Sequence, residues 1–125
     1  MSNALDRFHP ATASWFRGAF GDPTPAQEGA WGELAGGANT LVVAPTGSGK
    51  TLSAFLAALD RLMLGAKPED RPTEPGTRVL YISPLKALAV DVERNLRAPL
   101  AGIAHEAAAL GVRAAQVTVG IRTGD

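Results

Sequence analysis

The chain has 125 residues, 12 basic and 12 acidic side chains, a formal net charge of +0 and no cysteine, and 46% of it is apolar. That length accommodates one core and not two, and the apolar fraction excludes intrinsic disorder. The missing thiols exclude disulfide scaffolds, thiolate metal sites and a cysteine nucleophile. The charge balance excludes a generic polycationic grip on nucleic acid but leaves room for a local one. No apolar run approaches the roughly 20 residues of a membrane span, and residues 1–10 lack a basic-then-apolar signal pattern, so a cytoplasmic protein with no membrane contact is expected. Lys50, Lys67 and Lys86 are its lysines; arginine elsewhere, with abundant alanine, reads as a GC-rich coding bias.

Pro10 suits a first helical turn, and Trp15, Phe16, Ala19 and Phe20 share one helical face, so a helix is expected over 10–20, stopped by Gly21 and Asp22. A second is expected from Thr24 to Leu34. Thr24 and Gln27 have capping-box spacing, Pro25 takes the first helical position and Gly36-Gly37 ends the run. Thr40-Leu41-Val42-Val43-Ala44 is short, apolar and β-branched, the signature of a buried parallel strand. Beyond the turn 45–49, Leu52, Phe55, Leu56, Leu59 and Leu62 recur at helical steps. Residues 65–76 are polar and proline-rich, a surface loop. Residues 78–83 form a second expected strand. A helix then starts at Pro84 under a Ser83 cap, with Leu85, Leu88, Ala89, Val92 and Leu96 buried. Pro99 is expected to interrupt it, 101–110 to form a further short helix ending at Gly111, and 117–121 a third strand. Alternation of strand and helix predicts an α/β fold with a parallel sheet.

The chemistry lies in Ala44-Pro45-Thr46-Gly47-Ser48-Gly49-Lys50-Thr51. A triphosphate crowds several anionic oxygens together, and binding it needs many donors and little bulk. Gly47 and Gly49 let the backbone around Thr46 and Ser48 curl until successive N–H groups face one centre, and the helix starting near Lys50 adds its positive end. Lys50 reaches the β- and γ-phosphates, and the Thr51 hydroxyl ligates Mg²⁺. Gly-Lys-Thr between a buried strand and an amphipathic helix reads as an ATP-binding P-loop rather than a plain turn. Ala44 departs from the usual leading glycine.

An acidic residue closing a second buried strand, needed to hold Mg²⁺ and activate water, is missing. Ala87-Leu88-Ala89-Val90-Asp91 follows a helical step. The chain is therefore expected to bind nucleotide without hydrolysing it, as the front part of a longer enzyme.

These features resemble the N-terminal part of the first RecA-like motor domain of superfamily 2 helicases of the DEAD/DEAH type, most closely the large helicase-related group of DNA-dependent ATPases and helicases. Pro23-Thr24-Pro25-Ala26-Gln27 resembles the Q motif, whose glutamine reads the adenine edge. Residues 44–51 resemble motif I, in which a leading alanine is common. Ser83-Pro84-Leu85-Lys86-Ala87-Leu88-Ala89 resembles motif Ia, and Arg122-Thr123-Gly124-Asp125 the start of motif Ib. The resemblance implies a partial RecA-like P-loop domain with a parallel sheet and helices on both faces. It divides the chain into N-terminal helices with the Q-motif-like segment (1–35) and the front of the ATP-binding domain (36–125). It implies ATP and Mg²⁺ as cofactors, bound by Gln27 and 46–51. It also implies contacts to single-stranded nucleic acid, DNA in preference to RNA, from Pro84, Leu85, Lys86, Thr123 and Gly124. A second RecA-like domain and C-terminal domains would complete the motor.

Each segment also has a plainer reading. Gln27 completes the capping box whether or not it meets a base, and Phe16 or Phe20 either seats the adenine or packs in the core. Lys86 sits where a capped helix start favours phosphate, yet first-turn lysines are ordinarily just solvated. Arg94 and Arg97 read as a solvated face, and His9 and His105 receive no role. A rival to the helicase motor is a non-catalytic nucleotide-binding module complete at this length. A small-molecule kinase would need an arginine-rich lid and a strand-end carboxylate, and neither is present.

Overall fold

Local turn chemistry sets where the helices begin and end. The computed structural model describes residues 4–41, 50–65, 76–82 and 86–122. Within them, a short 3-10 helix at Ala4–Arg7 precedes α1 (Pro10–Phe20), α2 (Pro25–Ala35), α3 (Lys50–Leu64) and α4 (Lys86–Ala109). At α1 the N-cap is His9, whose Nδ1 accepts the Ala11 N–H at 3.1 Å. Thr24 caps α2 in a full capping box. Past α2, Gly37 at φ 80° lets its N–H reach the Leu34 carbonyl at 3.0 Å and the Ala38 N–H reach Glu33 at 3.1 Å. Gly111 at φ 76° closes α4 the same way, with Val112 N–H on the Ala107 carbonyl at 2.8 Å. Both are left-handed caps that glycine adopts without steric cost.

Packing follows the apolar stripes. α1 lies on α4, α2 on α3, and the 3-10 helix touches both α1 and α2. The core is built from Leu5, Phe16, Trp31, Leu56 and Ile103, with Phe55, Leu59, Met63 and Leu96 around them. Trp31 meets the rings of Phe8 and Phe16 edge-on, at 5.1 and 5.4 Å between centroids. On α3 the buried side chains are Phe55, Leu56, Leu59 and Met63; Leu62 is only half-buried.

One expectation is corrected. Pro99 does not interrupt a helix, because α4 runs unbroken through it for 24 residues. Proline removes one backbone hydrogen bond and costs about 3 kcal/mol in a helix interior. However, Leu96, Pro99, Ile103 and Ala107 form one continuous buried stripe, and its burial offsets that loss. Residues 101–110 are therefore the second half of α4 and not a separate helix. The run 87–91 is also helical, within α4.

Among the described residues there is no strand. Residues 78–82, expected to lie in a strand, are irregular and exposed, with Leu80 at 76% and Ile82 at 81%. Residues 117–121 are irregular, although Val117 packs against the core. Most of 40–44 lies outside the described residues. An apolar β-branched run reports fitness for a sheet, but a strand forms only where a neighbouring backbone takes its hydrogen bonds. One such bond holds the C-terminal segment, from Ala115 N–H to the Met63 carbonyl at 2.9 Å.

Two substitutions test this packing. Gly102 on α4 faces Trp15 so closely that a Cβ would enter the indole ring. Alanine normally favours a helix by about 1 kcal/mol over glycine, but overpacking costs about 1–3 kcal/mol. Gly102→Ala is therefore expected to lower the urea midpoint, and a raised midpoint would refute the contact. Thr12 is wholly buried in α1 and its Oγ1 has no hydrogen-bond partner. Thr12→Val keeps the shape and removes a desolvated hydroxyl, so a gain of about 1 kcal/mol is expected in the same denaturation experiment.

Candidate nucleotide and nucleic-acid interface

Gln27 sits in the first turn of α2 and is 4% exposed. Its Oε1 accepts the Thr24 N–H at 2.9 Å, and its own N–H donates to Thr24 Oγ1 at 3.2 Å. These bonds are the capping half of its two sequence readings. One turn further on, Trp31 is locked in the core, so the rotation of α2 that buries Gln27 is set by packing.

α2 lies against α3, whose first two residues are Lys50 and Thr51. The start of this 15-residue helix carries the unpaired N–H groups and positive dipole end that suit a phosphate. Thr46, Gly47, Ser48 and Gly49 lie outside the described residues. The stripe of Phe55, Leu56, Leu59 and Met63 anchors α3 in the core.

A second tie to α3 went unnoticed in the sequence. Asp60 Oδ1 accepts the backbone N–H of His9 at 3.0 Å, across 51 residues. The carboxylate thus sits at the N-terminus of α1, where its charge complements the dipole. His9, given no role from sequence, is both the cap of α1 and the donor in this tie. Its position just before Pro10 was the available signal. Nothing local to Asp60 marks its role.

The two candidate adenine-seating aromatics separate cleanly. Phe16 is buried against Trp31. Phe20, at the end of α1, is 59% exposed and propped by Trp15 and Phe16 at 5.8 and 5.2 Å. It leads through Gly21 into the Pro23–Gln27 stretch.

For the strand-gripping residues the structure is sparser. Lys86 is the first residue of α4. Pro84, Leu85, Thr123 and Gly124 lie outside the described residues. Farther along α4, Arg97 holds Glu93 through both carboxylate oxygens at 3.1 Å, so its charge is matched locally, whereas Arg94 is exposed. Among the described residues no three histidine, aspartate or glutamate side chains gather as a metal site, and no helix is long and apolar enough to cross a membrane.

Comparison with known proteins extends these observations. The profile of the DEAD/DEAH box helicase family matches residues 24–120. The chain is 58% identical over 124 residues to the Lhr helicase/probable uracil glycosylase of Mycolicibacterium smegmatis, covering 99% of this chain and 8% of that protein. It is 51% identical over 122 residues to the Lhr helicase/uracil glycosylase of Escherichia coli, covering 96% and 8%. Against the ATP-dependent helicase Lhr-Core of Methanothermobacter thermautotrophicus it is 46% identical over 117 residues, covering 94% and 13%. Among solved structures, it resembles that of Mycobacterium smegmatis helicase Lhr bound to ssDNA and AMP-PNP. The TM-score is 0.86 at 56% identity, covering 99% of this chain and 15% of that one. The chain thus spans roughly a twelfth of its bacterial relatives. With the Q-motif-like segment, the Lys50–Thr51 helix start and α4 all within or beside the matched region, the chain belongs to the DEAD/DEAH box helicase family.

Proposed function

We propose that the chain is the ATP-binding portion of an ATP-dependent DNA helicase or translocase of the large helicase-related kind. The parent enzyme couples ATP hydrolysis to movement on single-stranded nucleic acid. The observation that carries this reading is the Gly-Lys-Thr passage from the 44–49 segment into α3 at Lys50, on a helix anchored deep in the core. Its support is a chain-wide likeness to a helicase whose structure is described as bound to ssDNA and AMP-PNP.

In this reading the N–H groups of 46–49 and the start of α3 cradle the phosphates, and Lys50 neutralises the β- and γ-oxygens. The Thr51 hydroxyl supplies one Mg²⁺ ligand, as fits a hydroxyl beside an anion-binding helix start. Gln27 meets the adenine edge, and exposed Phe20, not buried Phe16, offers the ring face. Lys86 at the start of α4, together with Pro84, Leu85, Thr123 and Gly124, holds the backbone of the tracked strand, DNA in preference to RNA. Residues 1–35 serve as N-terminal helices, and 36–125 as the front of a RecA-like domain. In the complete domain 40–44, 78–83 and 117–121 pair as parallel strands, which would bury the side chains now exposed at 79–82. Hydrolysis and stepping require Walker B acids, a second RecA-like domain and C-terminal domains, so these 125 residues alone bind without turning over. The same reading places the parent enzyme in the cytoplasm.

Lys50→Ala is expected to abolish ATP binding by the intact protein in calorimetric titration, and unchanged affinity would overturn the phosphate assignment. Lys86→Ala is expected to weaken single-stranded DNA binding and reduce the slope of log affinity against log salt by about 0.7. An unchanged slope would remove Lys86 from the strand contact.

A further inference from the structure

Trp15 is half-buried on α1 and touches two elements that the proposed function uses for different ends. Its indole stands edge-on to Phe20, with ring centroids 5.8 Å apart and planes at 82°. It also lies against Gly102 of α4, so closely that a Cβ there would enter the ring. Phe20 is the exposed ring at the end of α1, and α4 is the helix that begins at Lys86. The indole therefore joins the ring offered to a base to the helix offered to a strand.

Glycine is unfavourable inside a helix, and at 102 only its missing side chain admits the indole. Groups packed this closely pass a displacement on, because there is no void to absorb it. From Gly102 back to Lys86 the helix is unbroken, a span of about 24 Å at 1.5 Å per residue. A hydrogen-bonded rod carries a shift over that span where a loop would dissipate it. We propose that Trp15 is a positioning residue that couples nucleotide binding to strand affinity. A base seated on Phe20 fixes the indole, and the indole fixes the seat of α4 and with it Lys86. By linkage, a strand held at Lys86 changes nucleotide affinity by the same factor. This rests on the proposed contacts of Phe20 with the base and Lys86 with the strand, and adds how the two communicate.

The test is fluorescence anisotropy of a labelled oligothymidylate on the intact protein, without nucleotide and at saturating AMP-PNP with Mg²⁺. The quotient of the two affinities reads coupling, and saturation keeps a weaker nucleotide affinity from moving it. In the wild type the quotient should depart from one by about fivefold or more. Trp15→Leu should bring it close to one. Trp15→Phe keeps a ring for the core but withdraws the indole from Gly102, so it should do the same if the leucine variant does not fold. Ser14→Ala removes the 3.1 Å bond from Ser14 Oγ to Glu106 Oε2, in the same α1–α4 interface, and should keep the full quotient. A wild-type quotient of one, or a full quotient in a folded Trp15 variant, overturns the coupling. A loss in Ser14→Ala as great as in the Trp15 variants assigns the effect to the interface as a whole and overturns the role of Trp15. Phe20→Ala separates this from the reading beneath it. Weakened AMP-PNP binding in that variant, beside a full quotient in the Trp15 variants, leaves the base contact standing without the coupling. Unchanged AMP-PNP binding overturns the base contact itself.

Discussion

The burial of Trp31 is the constraint from which the rest of the arrangement follows. Its indole lies on α2 and receives Phe8, ahead of α1, and Phe16, within α1, at its edges. Three segments that are each too short to be stable alone thereby share one apolar centre. Because Trp31 has one way to face that centre, α2 has one rotation. The first turn of α2 then places Gln27 inward and Glu28 outward. Loss of this ring contact would free the helix start that carries Gln27.

α3 is the second member on which the arrangement hangs, because it serves two purposes at once. Its beginning, Lys50 and Thr51, ends the glycine-rich segment, and its middle supplies Phe55, Leu56 and Leu59 to the core. Asp60 adds a polar tie to the cap of α1. The end proposed to handle phosphate is thereby built on a helix held by both apolar burial and a charge-assisted hydrogen bond. Such support suits a site whose donors must not rearrange when an anion arrives.

The apolar segment 78–82 shows the opposite condition. Leu80 and Ile82 are as exposed as charged surface residues ordinarily are, and Tyr81 meets the core residue Phe55 at 5.0 Å between ring centroids. Exposed apolar strand-formers favour association with any available edge. The net charge of +0 offers no general repulsion against such association.

Sequence by itself determined most helix ends, the order of motifs and the residue set proposed to bind phosphate. These depend on neighbours a few positions apart: Thr24 with Gln27, Gly37 after α2, Gly111 after α4, and the Gly-Lys-Thr step into α3. Tertiary structure alone decided the rest. Whether Pro99 breaks a helix depended on the stripe it continues, and whether 78–82 is a strand depended on a partner backbone. The choice of Phe20 over Phe16 as the exposed ring, the pairing of Asp60 with His9, and the need for glycine at 102 beside Trp15 all join residues far apart in the chain. Local patterning states which surfaces want burial or hydrogen bonds, and only the folded packing says which distant group meets that demand.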